Sequence, residues 1–74
     1  MKTRYFVFDP YVINEMKKGI PAKSIIKNYG SGSINIGIVH PNDEYSLAYC
    51  MKIAIKTGSF FEISDTDYRT FLTK

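Results

Sequence analysis

The chain of 74 residues holds one histidine, His40, and one cysteine, Cys50, ten positions apart, with no Asp-His-Ser or Cys-His signature around either. Nucleophilic catalysis needs a thiol or hydroxyl beside a base that is itself oriented by a third group. That set is missing from the sequence pattern. His40, directly before Pro41, reads as a turn residue at a strand end, and Cys50 as a small buried apolar group. Asp65 and Asp67, with Glu62 nearby, put carboxylates close together in sequence, but the remaining oxygen ligands and the glycine of a calcium loop are absent, so helix capping is the better account. Gly30-Ser31-Gly32-Ser33 lacks the Lys-Ser/Thr that would follow in a phosphate-cradling loop and reads as a flexible connection. Neither catalysis, nor a cofactor, nor a metal is expected.

Two surfaces remain that could bind. Lys17, Lys18, Lys23 and Lys27 cluster with Tyr11 or Tyr29 nearby, and lysines beside an aromatic ring can neutralise phosphates while the ring stacks on a base. Residues 1–30 carry six bases against two acids, whereas residues 31–74 carry four bases against five acids, so the net charge of +3 belongs to the first half. The simpler account is a solvated lysine face, and two arginines in the whole chain is low for a nucleic-acid reader, where the guanidinium fork is favoured. The second surface is Tyr45, Tyr49, Lys52 and Lys56, spaced four, three and four apart, as one stripe of a helix would be. Tyrosine combines an apolar ring with a polar tip and suits a protein interface. The same stripe also describes side chains snorkelling at the boundary of core and solvent.

The elements that position these residues follow from punctuation and periodicity. Residues 3–8, TRYFVF, are apolar on both faces, which predicts a central strand. Asp9-Pro10 predicts a helix start, with Asp9 as the capping acceptor and Pro10 where its missing donor costs nothing. The helix runs over 10–18 with Val12, Ile13 and Met16 on one face, and Gly19 ends it. Pro21 opens a second helix in which Ala22, Ile25, Ile26 and Tyr29 fall at i, i+3, i+4 and i+7 while Lys23, Ser24, Lys27 and Asn28 point away. Gly30 closes it. Ile34, Ile36 and Ile38 alternate with Asn35 and Gly37, predicting a strand over 33–39.

Residues 43–57 fit two patterns. As a strand, Tyr45, Leu47, Tyr49, Met51, Ile53 and Ile55 alternate; as a helix, Leu47, Cys50, Met51, Ala54 and Ile55 form an apolar side. Asn42 or a neighbour as cap, Thr57-Gly58 as stop and the good helix formers between them favour the helix. The alternative is a helical hairpin followed by a three-stranded antiparallel meander turning at Pro41-Asn42 and Thr57-Gly58. Phe60 to Ile63 reads as a last strand, and Ser64-x-x-Asp67 as a capping pattern ahead of a short helix bearing Tyr68, Phe71 and Leu72.

With Gly30 in place of a turn glycine, Ile25, Tyr29, Ile36 and Val39 occupy positions that are apolar in a helix-turn-helix, and residues 11–39 locally resemble that motif. The resemblance implies a base-reading helix over SGSINIGIV. Those residues contain Gly32 and Gly37, which together cost about 1–2 kcal/mol of helix stability relative to alanine, and they alternate as a strand does. Ile26 also stands where the motif has a small residue, and Ser31 where it has an apolar anchor.

The expected class is α+β in the order β-α-α-β-α-β-α, a single domain over 1–74 with a small sheet packed by helices; residues 33–63 form a right-handed βαβ unit if their strands are parallel. An aromatic share of 15% argues for a folded core, although so small a body must leave some tyrosine at its surface. A lone cysteine with no leader ahead of it fits a reducing cytoplasm, and no apolar run approaches the ~20 residues that span a bilayer. The expected function is that of a small non-enzymatic binding or regulatory protein engaging another protein or a second copy of itself. The Ile, Lys, Tyr and Asn usage of an AT-rich genome, on one catalytically empty domain, also suits a phage or mobile-element accessory protein. The alternative is a sequence-tolerant nucleic-acid binder using the helical hairpin 10–30.

Overall fold

The computed structural model describes residues 2–30 and 34–72. Seven elements follow one another: β1 (Arg4–Val7), α1 (Pro10–Lys17), α2 (Ala22–Tyr29), β2 (Ile36–Val39), α3 (Glu44–Thr57), β3 (Phe61–Ile63) and α4 (Asp65–Leu72). The class is α+β in the expected order. β1 is central in a sheet of order β2-β1-β3, antiparallel to both neighbours. The strands β2 and β3 are therefore parallel to each other, with β1 between them, so α3 is a crossover that skips one strand. Residues 44–57 are helical, which overturns the meander; the sheet is antiparallel throughout, but its central strand is β1 and not a strand over 43–57.

The register sorts side chains by face. Tyr5 opposite Ile38 and Ile63, and Val7 opposite Ile36 and Phe61, share one side of the sheet. That side is covered by α1, α2 and α4, and there Val7, Val12, Ile13, Ala22, Ile25, Ile63 and Phe71 form the buried core. Tyr5 stacks on Tyr68 of α4 with ring centroids 4.0 Å apart. Arg4 opposite Val39, and Phe6 opposite Gly37 and Glu62, share the other side, where α3 packs. β1 is apolar on both faces because helices lie on both.

Local capping explains most element ends. After α1, Gly19 adopts φ +85°, its N–H donating to the Met16 carbonyl while the Ile20 N–H donates to that of Glu15, a Schellman stop that only glycine enters without strain. Asp43 caps α3: its Oδ1 accepts from the Tyr45 and Ser46 backbone N–H groups at 3.0 and 3.2 Å. Asn42, at φ 59°, supplies the left-handed turn before it. Ser64 Oγ accepts from the Asp67 N–H at 3.1 Å, as the capping pattern predicts.

Asp9 departs from expectation. It precedes α1 in extended geometry, yet its carboxylate does not cap the helix. Its Oδ2 accepts instead from the Asn35 N–H at 2.7 Å, and the Phe8 N–H donates to the Asn35 carbonyl. A backbone N–H just ahead of β2, left unpaired by its own strand, competes for the same oxygen and wins. The acid thereby ties the start of α1 to the start of β2. The sequence expectations for Ser31, Gly32 and Ser33 lie outside the described residues; the strand expected over 33–39 is formed over Ile36–Val39.

Candidate functional site

Gly37 decides how α3 meets the sheet. A methyl group built on its Cα would lie 2.7 Å from Cys50 Sγ and 2.7 Å from the Phe8 ring, so α3 and Phe8 close over β2 at the one place where no side chain stands. Cys50 is 5% exposed, with its thiol 3.9 Å from the Ile38 carbonyl. This close seating over the edge strand leaves the β1–β3 half of the same face without a helix. There the surface sinks into a groove of about 360 Å3. Phe6 and Phe8 form its floor, Leu47, Met51 and Ile55 its α3 wall, and Phe60 the far side.

These walls are exposed. Ile55 is 80% accessible, Phe60 64%, Met51 55% and Leu47 46%. Leu47, Met51 and Ile55 recur every four residues and form a stripe about a third of the way round the helix from Tyr45, Tyr49, Lys52 and Lys56. The Phe6 and Phe60 rings tilt together at 6.3 Å. The polar character comes from one corner: Arg4 Nε and Nη2 donate to the two Glu62 carboxylate oxygens at 2.9 and 2.7 Å, and the guanidinium lies 5.2 Å from the Phe6 ring centroid. The hydrogen bond from Arg4 holds the Glu62 carboxyl below the usual carboxylate range. Both partners are half-exposed, so the pair positions the corner and adds little to stability.

No family model matches the chain, and neither a curated protein nor a solved structure is similar to it at a significant level. The site therefore has to be read from its own chemistry.

Tyr45 and Tyr49 are 89% and 65% accessible and, with the exposed Lys52 and Lys56, lie fully in solvent, not at a boundary with the core. Sequence reasoning gave α3 an apolar side of Leu47, Cys50, Met51, Ala54 and Ile55; of these only Cys50 is buried. The sheet is narrow and α3 sits at its edge, so one helix face reaches it. The missed signal was that the apolar residues of α3 wrap further around the helix than one packing contact can cover. Phe60, one residue before β3, was read as part of that strand and not as a surface ring.

Lys17, Lys18, Lys23 and Lys27 are all exposed on the α1–α2 hairpin, and the rings of Tyr11 and Tyr29 meet there at 4.8 Å. After α2, the place where a helix-turn-helix carries its reading helix holds β2, paired to β1. The local resemblance thus ends with α2, because isoleucines alternating about Gly37 fit a strand. Of the other groups considered above, Glu62 is paired to Arg4 and Asp65 to Arg69 at 2.9 Å, and among the described residues no three His, Cys, Asp or Glu side chains gather as a metal site. His40 is exposed and donates its backbone N–H to Ser46 Oγ. Among the described residues no helix is long and apolar enough to cross a membrane.

Burial pushes the Cys50 thiol pKa up, leaving little thiolate at neutral pH. Labelling with a thiol-disulfide reagent at pH 7.5 is expected to run at least ~100-fold slower in the native protein than in urea-unfolded chain, following local opening. Labelling at the unfolded rate would show that α3 does not hold Cys50 against Gly37.

Proposed function

We propose that this protein is a small non-enzymatic binding protein, accessory or regulatory in role, that acts by holding a polypeptide in the groove beside α3. The observation that carries the reading is the set Leu47, Met51, Ile55 and Phe60, left in solvent by a domain whose core is complete on the other face of the sheet. Fully burying one such side chain is worth about 1.5–3 kcal/mol, so leaving four open forgoes stability that a partner can recover. Contiguous apolar surface with a polar rim is the anatomy of a docking site, and Arg4, paired with Glu62, supplies the polar corner of this one. The groove holds no group suited to bond-making: its one nucleophile, Cys50, is buried with a raised pKa.

The test is selection from a displayed library of amphipathic peptides on protein immobilised so sparsely that its copies do not meet. Peptides with apolar residues every three to four positions are expected to enrich, and Met51→Glu, at an exposed position, is expected to weaken their binding at least ~10-fold with an unchanged circular dichroism spectrum. Absence of enrichment, or binding indifferent to Met51→Glu, overturns the reading. The rival reading rests on the four exposed lysines of the α1–α2 hairpin. For it, a submicromolar nucleic-acid complex with a log–log salt slope of about −3 to −4, lost in Lys23→Glu/Lys27→Glu, is the deciding outcome. Binding weaker than micromolar at physiological salt is expected instead.

A further inference from the structure

We infer that the occupant of the groove is an amphipathic α-helix of another protein, about three turns long, laid beside α3 over the β1–β3 half of the sheet. This rests on the reading of the groove as a surface that holds a polypeptide, and adds the conformation and chemistry of the segment it takes.

The first reason is where backbone groups can go. A segment shut against apolar walls needs a partner for every N–H and C=O it buries. The groove offers almost none. Its floor strand, β1, is central and has its backbone paired to β2 on one side and β3 on the other, and the backbone of α3 is bonded within the helix. Among the lining side chains only the Cys50 thiol and the Arg4 guanidinium are polar, the first buried and the second held by Glu62 through two of its nitrogens. An extended segment could pair only along the outer edges of β2 or β3, outside the groove, and inside it would bury its amides without partners. A helix closes its own hydrogen bonds and presents only side chains. The second reason is room. α3 seats over β2 at Gly37, β3 lies two strand spacings from β2, about 10 Å, and packed helices stand about 8–10 Å apart, so one further helix fits beside α3. The stripe from Leu47 to Ile55 rises about 12 Å along α3, a length that about three turns cover. The third is charge. At about 100° per residue, Glu44 falls about 20° round α3 from Met51, within the stripe of Leu47, Met51 and Ile55, and it is exposed with no ion pair among the described residues. α3 begins shortly after Val39, which lies opposite Arg4, so Glu44 stands at the end of the groove where Arg4 and Glu62 neutralise each other. The segment is therefore apolar on one face and carries a lysine or arginine at the end that meets Glu44.

The test pans two displayed peptide libraries on sparsely immobilised protein. Both hold peptides of about four helical turns with the same composition; one sets its apolar positions every three to four residues, the other at every second residue. Enrichment is expected from the first alone. Its best binder, synthesised, is expected to gain helical circular dichroism on binding, to bind at least ~10-fold more weakly with proline at its centre, and to bind about three- to ten-fold more tightly with a lactam bridging positions i and i+4 on its polar face. Ile55→Glu, at a position 80% exposed, is expected to weaken the complex at least ~10-fold, with circular dichroism of the free protein reporting that it is folded. Glu44→Lys is expected to weaken it about three- to ten-fold, and to favour instead the same peptide with its terminal base exchanged for glutamate.

Enrichment from the alternating library, or a binder that tolerates the central proline and gains no helix, overturns the inference. If that binder is still lost in Ile55→Glu, the groove holds a polypeptide in another conformation and only the helix falls. A helical binder indifferent to Ile55→Glu also overturns it, since such a peptide lies elsewhere on the protein. A binder lost in Ile55→Glu but indifferent both to Glu44→Lys and to its own terminal charge overturns the chemistry assigned to the segment. Enrichment from neither library removes the docking reading and this inference together, whether native mass spectrometry then finds an apolar small molecule or a second copy on the protein.

Discussion

Replacing Phe71 by alanine is expected to lower the unfolding free energy by about 3–5 kcal/mol, the usual cost of emptying a fully buried phenylalanine site. Phe71 is 1% exposed and is among the largest fully buried side chains, with Phe8, Ile25, Val7 and Val12. It belongs to the core in which β1, β3, α1, α2 and α4 meet, and α4 reaches the rest of the domain mainly through α2 and β1. Domains of this length carry about 4–11 kcal/mol in all, at 0.05–0.15 kcal/mol per residue, so the loss is a large share of the total. Urea unfolding followed by far-ultraviolet circular dichroism measures it: the midpoint is expected to fall by at least about a quarter with little change of slope. Phe71→Leu, which keeps most of the volume, is expected to cost markedly less. A loss under about 1 kcal/mol for the alanine variant would mean that α4 does not dock on the sheet.

The second large effect is at Gly37. Alanine there brings a methyl carbon to 2.7 Å from Cys50 Sγ and 2.7 Å from a Phe8 ring carbon, closer than real Cβ atoms come to anything. Phe8 is 2% exposed and cannot swing aside, so α3 must lift from β2. Gly37→Ala is expected to cost about 2–3 kcal/mol, or roughly 10–20 °C of melting temperature, despite the better strand propensity of alanine. Valine is expected to cost more. The displacement has a second readout, because Cys50 loses its cover: thiol labelling should accelerate at temperatures well below the melting transition. The double variant Gly37→Ala/Cys50→Ala is expected to recover part of the loss, since one of the two clashing groups is gone while Phe8 remains. A Gly37→Ala protein as stable as the parent would show that α3 sits further from the sheet than described.

Much of this architecture was legible one element at a time. Pro10 and Pro21 open α1 and α2, while Gly19, Gly30 and Gly58 close α1, α2 and α3. These are constraints of single residues on φ and on the N–H group, which act whatever the rest of the chain does. The apolar run around β1 announced a strand covered on both faces, and β1 is the central one. At residues 43–57 alternation and helical spacing both fitted, and local chemistry was enough to separate them: Asp43 caps, Gly58 turns left-handed at φ +76°, and the helix forms between.

The site was much less legible. Helical spacing located the stripe Tyr45, Tyr49, Lys52 and Lys56, and the structure sets it in solvent. Spacing did not reveal that Leu47, Met51 and Ile55 face an open groove, because an apolar residue on a helix looks the same in sequence whether a sheet covers it or water does. Asp9 teaches the same lesson for polar groups. Its side chain was free to cap α1, and a backbone N–H 26 residues away took it.

What the amino-acid sequence determined by itself, then, was the inventory and order of elements, since each rests on interactions within a few residues: caps, proline and glycine geometry, and the period of the apolar positions. Tertiary structure alone decided that β1 would separate β2 from β3, that α3 would seat over Gly37 at the sheet's edge, and that Phe6, Met51, Ile55 and Phe60 would surround a groove. Those outcomes depend on which side chains meet across long stretches of chain, where close packing of Phe8, Gly37 and Cys50 at one point excludes α3 from covering the rest of the face.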